Sequence, residues 1–132
     1  GGNIAHLITS VAGSSAYFKG GVVAYSNEIK QNLLRVSSED LQQYGAVSEQ
    51  VVRQMAEGAL LALGADVAIA TSGIAGPDGG TEEKPVGLVC ISVCSKDKNI
   101  TRSYQYSAFR DRNISRASIT ALVLLKELIA LL

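Results

Sequence analysis

Tryptophan is absent from this 132-residue sequence, proline and cysteine occur twice each, histidine once, and neither sign of charge is in excess. Twelve Lys and Arg balance twelve Asp and Glu, so the electrostatic surplus needed to hold a phosphate backbone is missing and a direct nucleic-acid partner is excluded. The lone His6 lies on a helical pattern with no Asp or Cys at ligand spacing, so neither a zinc site nor a Ser-His-Asp triad can be assembled. No metal or other cofactor is expected. Cys90 and Cys94 share one apolar run, where strand geometry holds them roughly 13 Å apart, beyond disulfide reach, and they read as core thiols. The longest apolar run, near the C-terminus, is broken by Lys126 and Glu127, which argues against a membrane span. Residues 1–6 contain no basic segment or small-residue cleavage site, so no secretory signal is read and a cytoplasmic setting is expected. An apolar fraction of 47% argues against disorder, and the length suffices for one core, hence one domain over residues 1–132 and one site.

What is present is a succession of periodic segments. Ile4, Leu7, Ile8 and Val11 recur at helical spacing, with no cap or strand ahead of them. Residues 17–25 read as a strand whose paired glycines, Gly20 and Gly21, mark a bulge or a close backbone approach. Asn27 offers an N-cap to a short helix through Leu34, and Ser37 with Asp40 opens a second that ends near Tyr44 and Gly45. A longer helix follows between the N-cap Ser48 and the stop Gly64, its core stripe being Val51, Val52, Met55, Ala56, Ala59, Leu60 and Leu63. Residues 65–71 read as a strand buried on both faces, and residues 72–85, with four glycines and both prolines, as an exposed loop. Residues 86–94 and 99–107 form an antiparallel hairpin, and from Asp111 the chain is helical, with Ile114, Ala117, Ala121, Leu122, Leu125, Leu128, Ile129 and Leu132 on one face. The pattern predicts an α/β fold, a three-layer α/β/α domain with a mixed, mainly parallel sheet containing an antiparallel strand.

Three places combine residues that can do chemistry. Tyr25 and Lys30 sit where a strand gives way to a helix, and with Asn27 as N-cap Lys30 falls in the first turn, where the helix dipole lowers an amine's pKa. A neutral Lys30 could accept a proton from a hydroxyl nucleophile with Tyr25 assisting; alternatively Lys30 is a solvated surface residue and Tyr25 a half-buried aromatic. In the glycine-rich loop the backbone N–H groups from Gly73 to Gly76 offer an anion nest, with Ser72 beside them, although no P-loop pattern occurs and a plain connection fits as well. Arg110-Asp111-Arg112, at the start of the last helix, can hold a phosphate or simply be a charged helix start.

Taken in order, Gly13-Ser14-Ser15-Ala16-Tyr17-Phe18, Gly21-Val22-Val23-Ala24-Tyr25-Ser26-Asn27-Glu28-Ile29-Lys30, Gly45-Ala46-Val47-Ser48-Glu49, Ser72-Gly73-Ile74-Ala75-Gly76-Pro77-Asp78-Gly79-Gly80 and Glu83-Lys84-Pro85-Val86-Gly87 resemble the CinA C-terminal domain family. That resemblance implies a nicotinamide mononucleotide amidohydrolase, which cleaves the pyridine carboxamide to nicotinate mononucleotide and ammonia without a metal and acts as a homodimer on a small-molecule nucleotide. It places Tyr25 and Lys30 in the active site, Ser72 at the family's Thr/Ser, Gly73 and Gly76 in the substrate loop, and Arg112 at the arginine of a Gly-Asp-Arg motif whose glycine is here Arg110. The family's Ser-Cys-Thr-Gly-Gly motif is matched only by Gly1-Gly2, so the resemblance also implies that a helix, a first strand and the Ser-Cys-Thr segment with its nucleophile are lacking and that these residues alone are inactive. The alternative is a non-catalytic module of the same type linked to competence or DNA damage, or an amidase for another carboxamide.

Overall fold

The computed structural model describes residues 1–132. In chain order the elements are helix α1 (Asn3–Thr9), a 3-10 turn at Ser14–Ala16, helices α2 (Asn27–Asn32), α3 (Ser38–Tyr44) and α4 (Glu49–Leu63), strands β1 (Val67–Gly73), β2 (Leu88–Ser95) and β3 (Asn99–Gln105), and helix α5 (Arg110–Ala130). The sheet runs β1-β2-β3 with both pairings antiparallel. β2 is the central strand, and its six inner residues are all buried. Strand periodicity sends Cys90 and Cys94 into a cluster with Val51, Val52, Met55 and Ala56 of α4, and Val89, Ile91 and Val93 into a second cluster with Ala117, Ala121, Leu124 and Leu128 of α5. Each face of β2 is thus covered by a helix. Both cysteines are free, and burial pushes their thiols up, Cys94 to about 11, which leaves little thiolate for reaction.

Several local expectations hold in detail. Ser37 and Ser48 cap α3 and α4 by accepting the N–H groups of Asp40 and Val51 at 3.3 and 3.2 Å, and Gly64 closes α4 with φ 59°. The N–H of Ser37, which a capping box would pair within α3, instead donates to Gln54 Oε1 of α4 at 2.7 Å and ties the two helices.

Other expectations are corrected. Residues 17–25 are not a strand: their side chains do alternate, with Val22 and Ala24 against the α4-side core and Tyr17, Val23 and Tyr25 exposed, but residues 19–25 make no backbone–backbone hydrogen bond. Period-two burial fixes which way a chain faces, and a strand additionally needs a ladder partner. The expected parallel pairing falls with it, because α2, α3 and α4 then cross between no two strands, and β1, β2 and β3 follow one another by returns to the adjacent strand. β1 begins and ends two residues later than the apolar run, so Ser72 and Gly73 belong to it, opposite Cys90 and Val89. It is an edge strand with Ala68 and Ala70 buried, not one buried on both faces. α5 presents Asn113, Ala117, Ser118, Ala121, Leu124 and Leu128 inward, while Ile114, Ile129 and Leu132 of the expected face are exposed.

Where the α2–α3 connection crosses α4, a β-carbon on Gly58 would stand 1.9 Å from the Leu34 carbonyl oxygen. Backbone is the obstacle, so no rotamer change relieves it. Gly58→Ala is expected to destabilise the fold by about 3 kcal/mol, the upper part of the overpacking range, measured by urea unfolding.

Candidate functional site

Tyr25 ends the extended segment, and α2 starts two residues later at Asn27. The N-cap is Ser26, whose Oγ accepts the Ile29 N–H at 3.2 Å, and not Asn27. The shift matters for Lys30, which then lies in the last turn of the six-residue helix. The helix dipole there favours a cation, so it cannot be what lowers the amine's pKa. The pKa is nevertheless lowered, and the cause is desolvation: Lys30 is only 9% exposed. Neither of the two ion pairs in the fold, Arg53 with Glu57 and Arg102 with Glu127, involves it.

The glycine loop leaves β1 after Gly73. Ile74 is pinned to the far side of the hairpin, its N–H donating to Leu88 O at 2.9 Å and its carbonyl accepting from Gly87 N at 2.7 Å. Gly76 adopts φ 90°, and a β-carbon there would lie 2.5 Å from Val86 Cγ1, so conformation and space both demand glycine. The Asn113 Nδ2 donates to Ala75 O at 2.9 Å and to Ser107 O at 3.0 Å, while its Oδ1 accepts from Ser107 N at 2.9 Å and Ser107 Oγ at 3.0 Å. Holding Ala75 O fixes the peptide plane that carries the Gly76 N–H. The N–H groups of Ala75 and Gly76 make no hydrogen bond within the fold and remain as donors.

Arg110 joins this loop to Tyr25: its Nη1 donates to Gly76 O at 2.8 Å and its Nη2 to the Tyr25 hydroxyl at 3.4 Å. Ser72 Oγ donates to Ala46 O at 2.8 Å, which fastens the end of β1 to the turn ahead of α4. Arg112 is 5.1 Å from the Phe109 ring centroid, stacked over it. The structure therefore brings Tyr25, Gly76 and Arg110 together. It makes no hydrogen bond from this group to Lys30, Ser72 or Arg112. None of these residues lines the cleft of about 360 Å³ bordered by Tyr44, Glu49, Lys84, Cys90 and Ser103. Two contributors escaped the sequence reading: the Arg110 link, and Asn113, whose place in the Asn113-Ala117-Ala121 stripe is the signal of a buried polar anchor.

The model of the CinA C-terminal domain matches residues 1–129. The chain belongs to that family. A nicotinamide-nucleotide amidohydrolase PncC of Enterobacter agglomerans is 54% identical over 123 residues, covering 92% of this chain and 75% of that protein. A CinA-like protein of Cytophaga hutchinsonii is 49% identical over 127 residues, 96% of this chain, and the chain spans 30% of that protein's length. Among solved structures, the competence/damage inducible protein CihA of Agrobacterium tumefaciens superposes with a TM-score of 0.92 at 42% identity, covering 99% of this chain and 79% of that one. A CinA superfamily protein of Klebsiella pneumoniae gives 0.95 at 36% identity, covering 100% and 82%. No helix of the family member described here is long and apolar enough to cross a membrane.

A buried amine with no anionic partner costs stability while it is charged. Because the folded-state pKa is lowered, the unfolded chain binds more protons between that value and 10.5, so this contribution to stability rises with pH across that window and is flat below it. Lys30→Met is expected to raise the unfolding free energy at pH 7 by about 1 kcal/mol. The raised Cys94 thiol acts in the opposite direction in both proteins, so the difference between parent and variant in urea unfolding from pH 7 to 11 isolates the lysine; a constant difference across that range refutes its depressed pKa.

Proposed function

We propose that this domain is the body of an amidohydrolase that converts nicotinamide mononucleotide to nicotinate mononucleotide and ammonia in the cytoplasm. The observation that carries the reading is Lys30, a lysine only 9% exposed and left without a counter-charge five residues after Tyr25. Support comes from the 54% identical relative that bears the name nicotinamide-nucleotide amidohydrolase.

In this mechanism a serine hydroxyl attacks the carboxamide carbon. Lys30, as the neutral amine, takes the hydroxyl proton and passes it to the departing nitrogen, so that ammonia leaves and an acyl-enzyme remains. Water attacks that ester by the same proton route, giving the carboxylate and restoring the serine. The negative charge that gathers on the carbonyl oxygen meets the N–H groups of Ala75 and Gly76, with Tyr25 as a further donor, while the Ser72 hydroxyl, whose proton goes to Ala46 O, accepts from the carboxamide nitrogen and orients the amide. Arg112 holds the ribose phosphate.

The serine belongs to the Ser-Cys-Thr segment, which does not occur in residues 1–132. We place it on a preceding strand that lies between β1 and residues 19–25. Two backbone edges support that placement: the side of β1 away from β2 has no strand neighbour, and residues 19–25 run extended with no backbone hydrogen bonds while Val22 and Ala24 share a core with Ala68 and Ala70. Such a strand and its helix complete a three-layer α/β/α domain. The exposed Ile119, Val123 and Ile129 along α5 support a homodimer.

The chain with a Ser-Cys-Thr segment and its strand joined ahead of Gly1 is expected to release ammonia from nicotinamide mononucleotide, with kcat rising with pH toward the lowered pKa of Lys30. Lys30→Ala is expected to reduce kcat about 10³-fold. Equal ammonia release by parent and Lys30→Ala would favour a binding module over an enzyme.

A further inference from the structure

We propose that Arg110 is a positioning residue that locks the Tyr25 hydroxyl and the glycine loop into one arrangement, an inference that rests on the amidohydrolase reading for its use in catalysis.

Three segments far apart in sequence meet at the guanidinium. Arg110 stands on the first turn of α5, Gly76 is 34 residues earlier and Tyr25 is 85 residues earlier. Tyr25 needs such a tether, since it is 76% exposed and packing does not hold its ring in place. Arg110 supplies the only hydrogen bond that the Tyr25 hydroxyl makes in the fold.

The chemistry of the donor decides what the tether does. A guanidinium has five N–H donors and no acceptor, so the Tyr25 oxygen must accept and its own proton is left to be given elsewhere. Arg110 thereby sets Tyr25 as a proton donor toward whatever lies in front of the loop. On the loop itself, Arg110 and Asn113, three residues apart on one face of α5, grip the successive carbonyls of Gly76 and Ala75. The Asn113 bond to Ala75 O orients the peptide plane of the Gly76 N–H, the Gly87 N–H on Ile74 O orients that of the Ala75 N–H, and Arg110, holding Gly76 O, keeps Gly76 from turning at the next peptide.

The test needs no turnover. Tyrosine labelled with 13C at Cζ reports the hydrogen bond at the phenol oxygen, with Tyr25→Phe assigning the signal, and 15N relaxation reports the order of the Gly76 amide. In Arg110→Ala the Tyr25 signal is expected to shift and the Gly76 order parameter to fall from about 0.85 toward about 0.6. Arg110→Lys, with one ammonium for two acceptors, is expected to restore one readout and not both. If neither readout moves in Arg110→Ala, the inference is overturned. In an active form of the enzyme Arg110→Ala is expected to lower kcat about tenfold with KM changed less than about twofold; unchanged kcat beside shifted signals would overturn the positioning role. A parent that releases no ammonia removes the amidohydrolase reading, and the two spectroscopic readouts still decide the tether.

Discussion

Burial of β2 on both faces is the constraint from which the other elements take their places. Its six inner residues leave no room for water on either side, so α4 must cover the cysteine face and α5 the valine and isoleucine face. Once α5 is fixed by Ala117, Ala121, Leu124 and Leu128, its first turn is carried to the end of β1, and the side chains of Arg110 and Asn113 fall on the glycine loop. Once α4 is fixed, Gly58 allows the chain after α2 to cross it closely, and Leu34 and Val36 enter the same core. α2, with Lys30 on it, is the element just before that crossing. The site is thus held by the two core clusters at once, though little of it lies in either.

The helices and the hairpin were legible because their signals are local. Ser37 and Ser48 sit three residues ahead of the N–H groups they cap, Gly64 provides the left-handed residue that ends α4, and the polar residues Lys96, Asp97 and Lys98 separate β2 from β3. Sheet topology was not legible, because pairing depends on which edges meet, and residues 17–25 show that period-two burial occurs without any ladder. The face of α5 was read rightly at Ala117, Ala121 and Leu128 and wrongly at Ile114, Ile129 and Leu132, for a related reason. Counting apolar residues drew the stripe toward Ile114 and Ile129, whereas the buried line passes through Asn113 and Ser118, polar residues whose hydrogen bonds are satisfied inside.

The candidate site divides along the same line. Tyr25, Lys30, Ser72 and the loop glycines could be marked because each stands at the junction of two local patterns. That Arg110 meets Tyr25 across 85 residues, while Arg112 stacks on its neighbour Phe109, could not be read from a motif in which both arginines are equally placed. Long-range partnership of this kind is settled by packing of the elements that carry the two residues.

Lys30 illustrates why the cause of a shift matters as much as its direction. A helix N-terminus alters the energy of a charge by roughly 0.3–1 kcal/mol, less than one pKa unit, and does so even when the group is bathed in water. With Ser26 as the N-cap, Lys30 is in the last turn, and that small effect acts against deprotonation. Removal from water can move a lysine by as much as about 3–5 units when burial is complete, so partial burial outweighs an opposed dipole. Desolvation also ties the lowered pKa to packing: Lys30 is the one buried residue of α2, and its amine keeps the lowered pKa only while that burial lasts. An amine tuned by a dipole would survive loosening of the surrounding chain; one tuned by burial would not.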